Sequence, residues 1–418
     1  MIKSLLAAMV LFSFSYGGGT ISNKSLFEDT FSLYALDAQM HHNYARASVF
    51  FAELYKQTAK KEYLYQSLRM LEYSQDVKML GKKMREALAA SPNDEMLKRF
   101  EIITLLKEGK YAEASQKSLL LSEGANKASD YLLYAEARLK LSDFRGAYGA
   151  LKKAYELNYD NTTAERIGLL QYVQLGEKKE AIQFLKEHIG INGNSIVVGK
   201  RLASFYADSG EFAQAAETYE QVYDAFKDMS SVDEAVKIYI YLQDIPKLTR
   251  LLERSEFNDP LLLDLYVRVK DFSKASVLAR TLYEREDNPL YLAQSAVYRY
   301  EGSSDRNDSV MLSNVLEELK KASEDLEEPL YLNYLGYLMI DHDLGINEGM
   351  KYVERALEKQ PDSPYYIDSL AWGKYKLGEC EEALRLIQKV ETMVGNGEEE
   401  VNEHLKAIKT CKPKEKQK

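Results

Sequence analysis

Apolar and polar positions alternate with a helical period along nearly the whole chain. Amphipathic stretches of about 12 to 14 residues, or three to four helical turns, end in short polar turns. These turns often contain glycine, as in the segments KEGKY, QLGEK, DSGEF and KLGEC. The pattern predicts an all-α chain built from pairs of helices that are joined by tight turns.

A small residue recurs early in the second helix of each pair, at intervals close to 34 residues. The eleven positions are Ala47, Gly81, Ala114, Ala147, Ala181, Ala215, Leu248, Ala275, Val315, Gly349 and Ala383, of which Leu248 and Val315 are poor matches to a small residue. A small side chain lets two helices approach closely, and stacked hairpins bury the apolar face that one hairpin leaves uncovered. Intervals of 27 and 40 residues around Ala275 indicate a shortened hairpin, then a hairpin with the insertion YEGSSDRNDSV at 300–310.

The repeat resembles the tetratricopeptide family, whose signature places Trp, Leu, Gly and Tyr on the first helix, Ala and Phe on the second, and then Pro. The signature positions of two C-terminal units hold Leu332, Leu335, Gly336, Met339, Gly349, Val353 and Pro361, and then Ile367, Leu370, Ala371, Lys374, Ala383 and Ile387. The resemblance extends over about residues 28–392 and implies a right-handed superhelical solenoid of about eleven hairpins.

The N-terminus has the layout of a secretory signal peptide. Lys3 precedes an apolar run from Leu5 to Phe14, which is too short to span a bilayer of about 30 Å. Small residues follow, and they predict cleavage, export and a periplasmic location; an uncleaved membrane anchor is the alternative. The predicted segments are a signal peptide (1–17), a linker (18–27), an N-terminal array (28–258), irregular repeats with a loop insertion (259–328), two clear repeats (329–392), a capping helix (397–411) and a basic tail (412–418).

Composition gives no evidence for nucleic-acid binding or catalysis. The net charge of −10 provides no attraction for nucleic acid. None of the five histidines forms the helical pair that a zinc protease needs, and the DHD segment at 341–343 is expected to be a solvated loop. We find no glycine-rich phosphate loop and expect no cofactor, no metal and no catalytic site.

The resemblance implies that first helices line a concave surface that binds peptides. The candidate partner-binding residues are Asn333, Tyr337, Ile340, Asp368, Trp372 and Tyr375 in the last two units, and Arg166 and Lys200 in the middle. Aromatic residues at these positions also pack between stacked repeats, so both interpretations stay open.

The fold resemblance and the signal peptide together imply a non-catalytic protein-binding scaffold in the bacterial periplasm. Its expected role is to support the assembly of an envelope complex, such as a secretion, pilus or flagellar-motor complex. Two alternatives stay open: a peptidoglycan- or carbohydrate-binding module, and a subunit of an envelope enzyme.

Two further features concern covalent chemistry. Cys380 and Cys411 are the only cysteines, and they face each other if the last two helices run antiparallel about Gly395–Asn396. Export favours a disulfide over two buried thiols. Asn307 lies in an N-x-Ser sequon with Asp305 two residues before it, which predicts a surface glycosylation site in a host that has the transferase. A polar loop that matches the sequon by chance is the alternative.

Overall fold

The computed structural model describes residues 23–394 and 399–412. These residues contain twenty-three α-helices, and no strand occurs among them. The predicted signal peptide, residues 18–22 of the predicted linker and residues 413–418 of the tail lie outside the described residues. The chain divides into two compact units, Met1–Ser231 and Val232–Lys418. The predicted segment divisions at residues 258 and 328 follow the repeat pattern and stay predictions.

The helices of unit 1 are α1 (Asn23–Met40), α2 (Tyr44–Thr58), α3 (Lys61–Ser74), α4 (Val77–Ala90), α5 (Glu95–Lys107), α6 (Tyr111–Ala125), α7 (Ala128–Lys140), α8 (Phe144–Leu157), α9 (Asn161–Leu169, followed by a π-helical turn Leu170–Gln174), α10 (Lys178–Asn192), α11 (Ile196–Asp208) and α12 (Phe212–Phe226). Helix α13 (Met229–Leu242) includes the boundary between the units.

The remaining helices belong to unit 2. They are α14 (Ile245–Ser255), α15 (Asp259–Arg268), α16 (Phe272–Glu286), α17 (Pro289–Glu301), α18 (Ser309–Asp325), α19 (Pro329–Asp341), α20 (Ile346–Lys359), α21 (Pro364–Lys376), α22 (Cys380–Val394) and α23 (Glu399–Lys409). Helix α1 begins at Asn23, inside the segment that was expected to be a linker.

The odd-numbered helices are the first helices of eleven hairpins, and α23 follows the last hairpin. All eleven recurring positions lie on even-numbered helices and are buried, including the larger side chains of Leu248 and Val315. The predicted repeat register is therefore confirmed through the middle of the chain. The short interval before Ala275 matches the short helices α14 and α15, with 11 and 10 residues, and the long one matches a loop at residues 302–308.

Helices α19 and α20 show why the recurring residue is small. A Cβ atom on Gly336 would lie 2.5 Å from the carbonyl oxygen of Gly349, and a Cβ on Gly349 would lie 2.7 Å from the carbonyl oxygen of Gly336. The two backbones touch at this point, and the contact requires glycine on both helices.

Tyrosine hydroxyls connect neighbouring hairpins. The hydroxyl of Tyr65 donates to Asp94 (2.8 Å), that of Tyr172 to Asp208 (2.6 Å) and that of Tyr334 to Glu301 (2.6 Å). The Tyr172 residue is buried and the other two are partly buried, while each hydroxyl reaches a carboxylate of an adjacent repeat. This use of tyrosine gives a physical reason for the 31 tyrosines in the chain, against 14 phenylalanines.

Helix α23 covers the end of unit 2. Val401, Leu405 and Ile408 form its buried stripe, which packs against Ile367, Ala371, Ala383, Leu386, Ile387 and Val390. Cys411, just beyond α23, is bonded to Cys380 with 5.6 Å between the Cα atoms. The expected capping helix is thus present at Glu399–Lys409, and the structure contains the expected cysteine pair. No helix in the described ranges is long and apolar enough to cross a membrane.

Candidate functional site

A groove of about 400 Å³ runs along first helices of unit 1, from α3 to α9. Its apolar wall consists of Met96, Phe100 and Ile103 on α5, and Leu132 and Leu133 on α7. The first three residues are four and three positions apart, so one face of α5 presents all of them. Its polar rim consists of Arg69, Glu72, Arg99, Ser129, Glu136 and Arg166. An apolar wall with a charged rim suits a peptide or helix with one apolar face.

A second hollow, of about 550 Å³, adjoins this groove at helices α1 to α3. Its lining includes Leu36, Phe51, Tyr63 and Met70. Arg69 lines both hollows and is exposed, and within the described part of the chain it has no ion-pair partner. This guanidinium is therefore available to an acidic group.

Ion pairs between successive first helices hold the groove at its width. Asp130 on α7 is fully buried and accepts two hydrogen bonds from Arg99 on α5, at 2.6 and 2.7 Å. Arg166 on α9 donates to Glu136 on α7 at 3.2 Å. The two-pronged contact between Arg99 and Asp130 fixes orientation as well as distance, so it positions α5 against α7.

The structure places the predicted site residues in three different environments. Arg166 lines the unit 1 groove. Lys200 on α11 donates to Ser230 and lies 3.5 Å from Asp228. Asn333 is half-buried on α19, and its Oδ1 has no hydrogen-bond partner among the residues that the structure describes. Ile340 is fully buried in the core of unit 2, which corrects the expectation that it faces a partner.

Tyr337, Asp368, Trp372 and Tyr375 come together, but α23 contacts three of them directly. The half-buried ring of Trp372 stacks on His404 of α23, with 4.2 Å between centroids. His404 Nδ1 lies 2.9 Å from Asp368 Oδ2, and Tyr337 donates to Glu400. Partner binding by these residues stays a prediction, since the contacts seen here lie within the chain.

Two more bonds complete this cluster. The indole N–H of Trp372 donates to Asp341 Oδ1 at 3.0 Å, and Tyr375 stacks on the indole at 4.8 Å. Burial, followed by the hydrogen bond to Glu400, raises the pKa of Tyr337 well above its ordinary value. The phenol is therefore neutral at physiological pH and acts as a hydrogen-bond donor.

Sequence reasoning missed His404, although its position carried a signal. His404 lies between Val401 and Leu405 on the same stripe that continues to Ile408, so a helical register places it on the buried face of α23. It is 5% exposed. The DHD segment is engaged in separate contacts: Asp341 with Trp372, His342 with Tyr300 and Asp343 with Lys376. Across the described residues, no three His, Cys, Asp or Glu side chains converge as metal ligands.

Asn307 lies in the exposed loop between α17 and α18. Its backbone N–H donates to Asp305 Oδ1 at 2.9 Å. A second sequon, Asn161-Thr162-Thr163, is less accessible than the one at Asn307. Asn161 Oδ1 lies 2.7 Å from His188 Nε2, and Thr163 is buried. Glycosylation of Asn307 stays a prediction.

No protein-family model and no curated protein matches this chain. Solved structures that are similar to it include MamA from Desulfovibrio magneticus RS-1, with 18% identity, 41% of this chain and 97% of that chain covered, and a TM-score of 0.34. TTC0263, a tetratricopeptide repeat protein from Thermus thermophilus, is 19% identical, and the match covers 43% of this chain and 100% of TTC0263 with a TM-score of 0.33. A chain of the APC/C hetero-tetramer Cut9–Hcn1 is 11% identical, and the match covers 93% of this chain and 96% of that chain with a TM-score of 0.41.

Proposed function

We propose that this chain, an array of eleven tetratricopeptide-like hairpins with a capping helix, is a non-catalytic scaffold that binds a protein partner along the first helices of unit 1. The observation that carries the proposal is the groove between α3 and α9, with an apolar wall and a charged rim. Its wall offers the partly exposed side chains of Met96, Ile103, Leu132 and Leu133 to apolar groups, and Arg69, which has no ion-pair partner among the described residues, offers its guanidinium to a carboxylate. A partner helix with an apolar stripe and an acidic flank fits both features.

The proposed location is the bacterial periplasm, and the proposed role is support of an envelope complex such as a secretion, pilus or flagellar-motor complex. Lys3 and the apolar run Leu5–Phe14 support export. The disulfide supports an oxidising compartment. The peptidoglycan- or carbohydrate-binding alternative would need an aromatic-lined groove, and the ring of Trp372 lies against His404 in this structure.

A matched pair of charge reversals tests partner binding. Arg69→Glu changes the groove, whereas Lys82→Glu makes the same charge change at an exposed position on α4, a second helix. Each tagged full-length variant is recovered from its own cells after cross-linking, and co-purified proteins are quantified by mass spectrometry. We expect Arg69→Glu to lose a protein that Lys82→Glu and the native chain retain. Equal recovery by all three would refute groove binding.

A further inference from the structure

Helix α23 contacts the side of unit 2 that carries the predicted partner-binding aromatics. His404 projects between the Trp372 ring, at 4.2 Å between centroids, and the Asp368 carboxylate, at 2.9 Å. Asp368 and His404 are only 6% and 5% exposed, so the pair is closed off from water. One flat, N–H-donating side chain of α23 therefore fills a slot formed by an indole face and a carboxylate.

Only one of the two oxygens of the Asp368 carboxylate has a hydrogen-bond partner in this slot, among the described residues. Asp368 Oδ2 contacts His404, but the buried Oδ1 has no hydrogen-bond partner among the described residues. Leaving a buried carboxylate oxygen unpaired is costly, and such atoms are rare in folded proteins. An imidazole edge supplies one N–H to the carboxylate. An arginine guanidinium supplies two parallel N–H groups and can satisfy both oxygens at once.

The surroundings also favour a cation. A guanidinium stacks well on an indole face, as His404 now stacks on Trp372. Asp341 accepts from the indole N–H, so a second carboxylate lies beside the slot and stays there when α23 is displaced. The Asp368 and Asp341 carboxylates both attract a guanidinium.

The apolar surface beside the slot has the shape that an amphipathic helix fits. Around the slot, Val401, Leu405 and Ile408 of α23 pack on apolar side chains of α21 and α22. Relative to position 404, these apolar residues stand at −3, +1 and +4, which is one face of a helix.

We propose that Tyr337, Asp368, Trp372 and the apolar surface beside them form a docking site for an arginine-bearing amphipathic helix of a partner protein. Helix α23 is the resident occupant of this site. The disulfide ties Cys411, beyond the end of α23, to Cys380, the first residue of α22. A partner helix gains access only when α23 leaves the site, and the tether opposes this because it keeps the effective concentration of α23 high.

Defined peptides test the site without any knowledge of the natural partner. The protein is the full chain in two forms: the native oxidised chain and a released form with Cys380→Ser, Cys411→Ser and His404→Asp. In the released form, repulsion between the new carboxylate and Asp368 weakens the resident helix. The probes are fluorescein-labelled peptides of residues 399–410, one with His404→Arg and one with His404→Gln, and fluorescence anisotropy gives their dissociation constants.

We expect the released form to bind the arginine peptide at least about 10-fold more tightly than the glutamine peptide, and the native form to bind neither. Equal affinity for both peptides, or equal binding by both protein forms, would overturn the proposal. The test uses only defined peptides, so its outcome is independent of whether the unit 1 groove has a partner.

A second measurement decides the matter if the released form does not fold. In the otherwise native chain, His404→Arg is compared with His404→Gln by hydrogen exchange of α23. Because arginine satisfies both oxygens of Asp368, we expect at least about 10-fold slower exchange in His404→Arg. Exchange at equal rates would show that the slot does not favour arginine.

Discussion

Gly336→Ala tests the close helix contact on which the hairpins depend. The added methyl would lie 2.5 Å from the carbonyl oxygen of Gly349 and 2.7 Å from Cγ2 of Val353. Both separations are far below ordinary van der Waals contact, so α19 and α20 must move apart. Overpacking of this kind costs about 1–3 kcal/mol, and alanine recovers about 1 kcal/mol through its helix propensity. We expect a net loss of up to about 2 kcal/mol in the free energy of unfolding of this region.

Gly149→Ala is the matched control. Gly149 is also a helical glycine, but a Cβ there meets no atom within 4 Å, so only the propensity gain of about 0.5–1 kcal/mol applies. Urea unfolding is followed by the fluorescence of Trp372, the only tryptophan, which lies on the adjacent helix α21, and by circular dichroism for the whole chain. Equal destabilisation by both substitutions, or a stabilised Gly336→Ala variant, would refute the argument from close backbone contact.

Three further predictions concern other contacts. The double substitution Cys380→Ser and Cys411→Ser should lower the stability of the end of the array by about 3–4 kcal/mol, the value of the chain-entropy model for a cysteine separation of 31. The loss should appear as faster hydrogen exchange in α23, and unchanged exchange would contradict the prediction. Arg99→Ala leaves the fully buried Asp130 unpaired and should cost about 3–5 kcal/mol, whereas Arg99→Met with Asp130→Leu should recover most of the loss in urea unfolding. Burial lowers the pKa of His188. The unfolded chain therefore takes up this proton first, and unit 1 should lose stability as pH falls below about 6.5, a dependence that His188→Gln should reduce in thermal melts.

Much of the fold could be predicted because the same spacing recurs along the chain, and each recurrence locates another pair of helices. Leu248 and Val315 are poor matches to a small-residue position, yet the spacing of their neighbours located them correctly on buried second-helix faces. The cysteine pair was predictable because Cys380 and Cys411 are symmetric about one turn, and the structure contains the bond.

The candidate site could be predicted less well, because it depends on how neighbouring hairpins stack. Ile340 was expected at the surface and is fully buried. A single repeat pattern could not show that Arg69, Phe100 and Leu132 line one groove, since they belong to three different hairpins. It also could not show that His404 fills the surface at Trp372, because this contact joins the capping helix to a helix one hairpin earlier.

The central claim is that the first helices of unit 1 bind a protein. A photo-cross-linking amino acid in place of Ser129, which is exposed on the rim of the groove, tests this claim most directly in living cells. The control carries the same amino acid in place of Leu120, which is 71% exposed on the second helix α6. We predict a discrete cross-linked protein adduct from position 129 that is absent from position 120. No adduct at position 129, or identical adducts from both positions, would contradict the account.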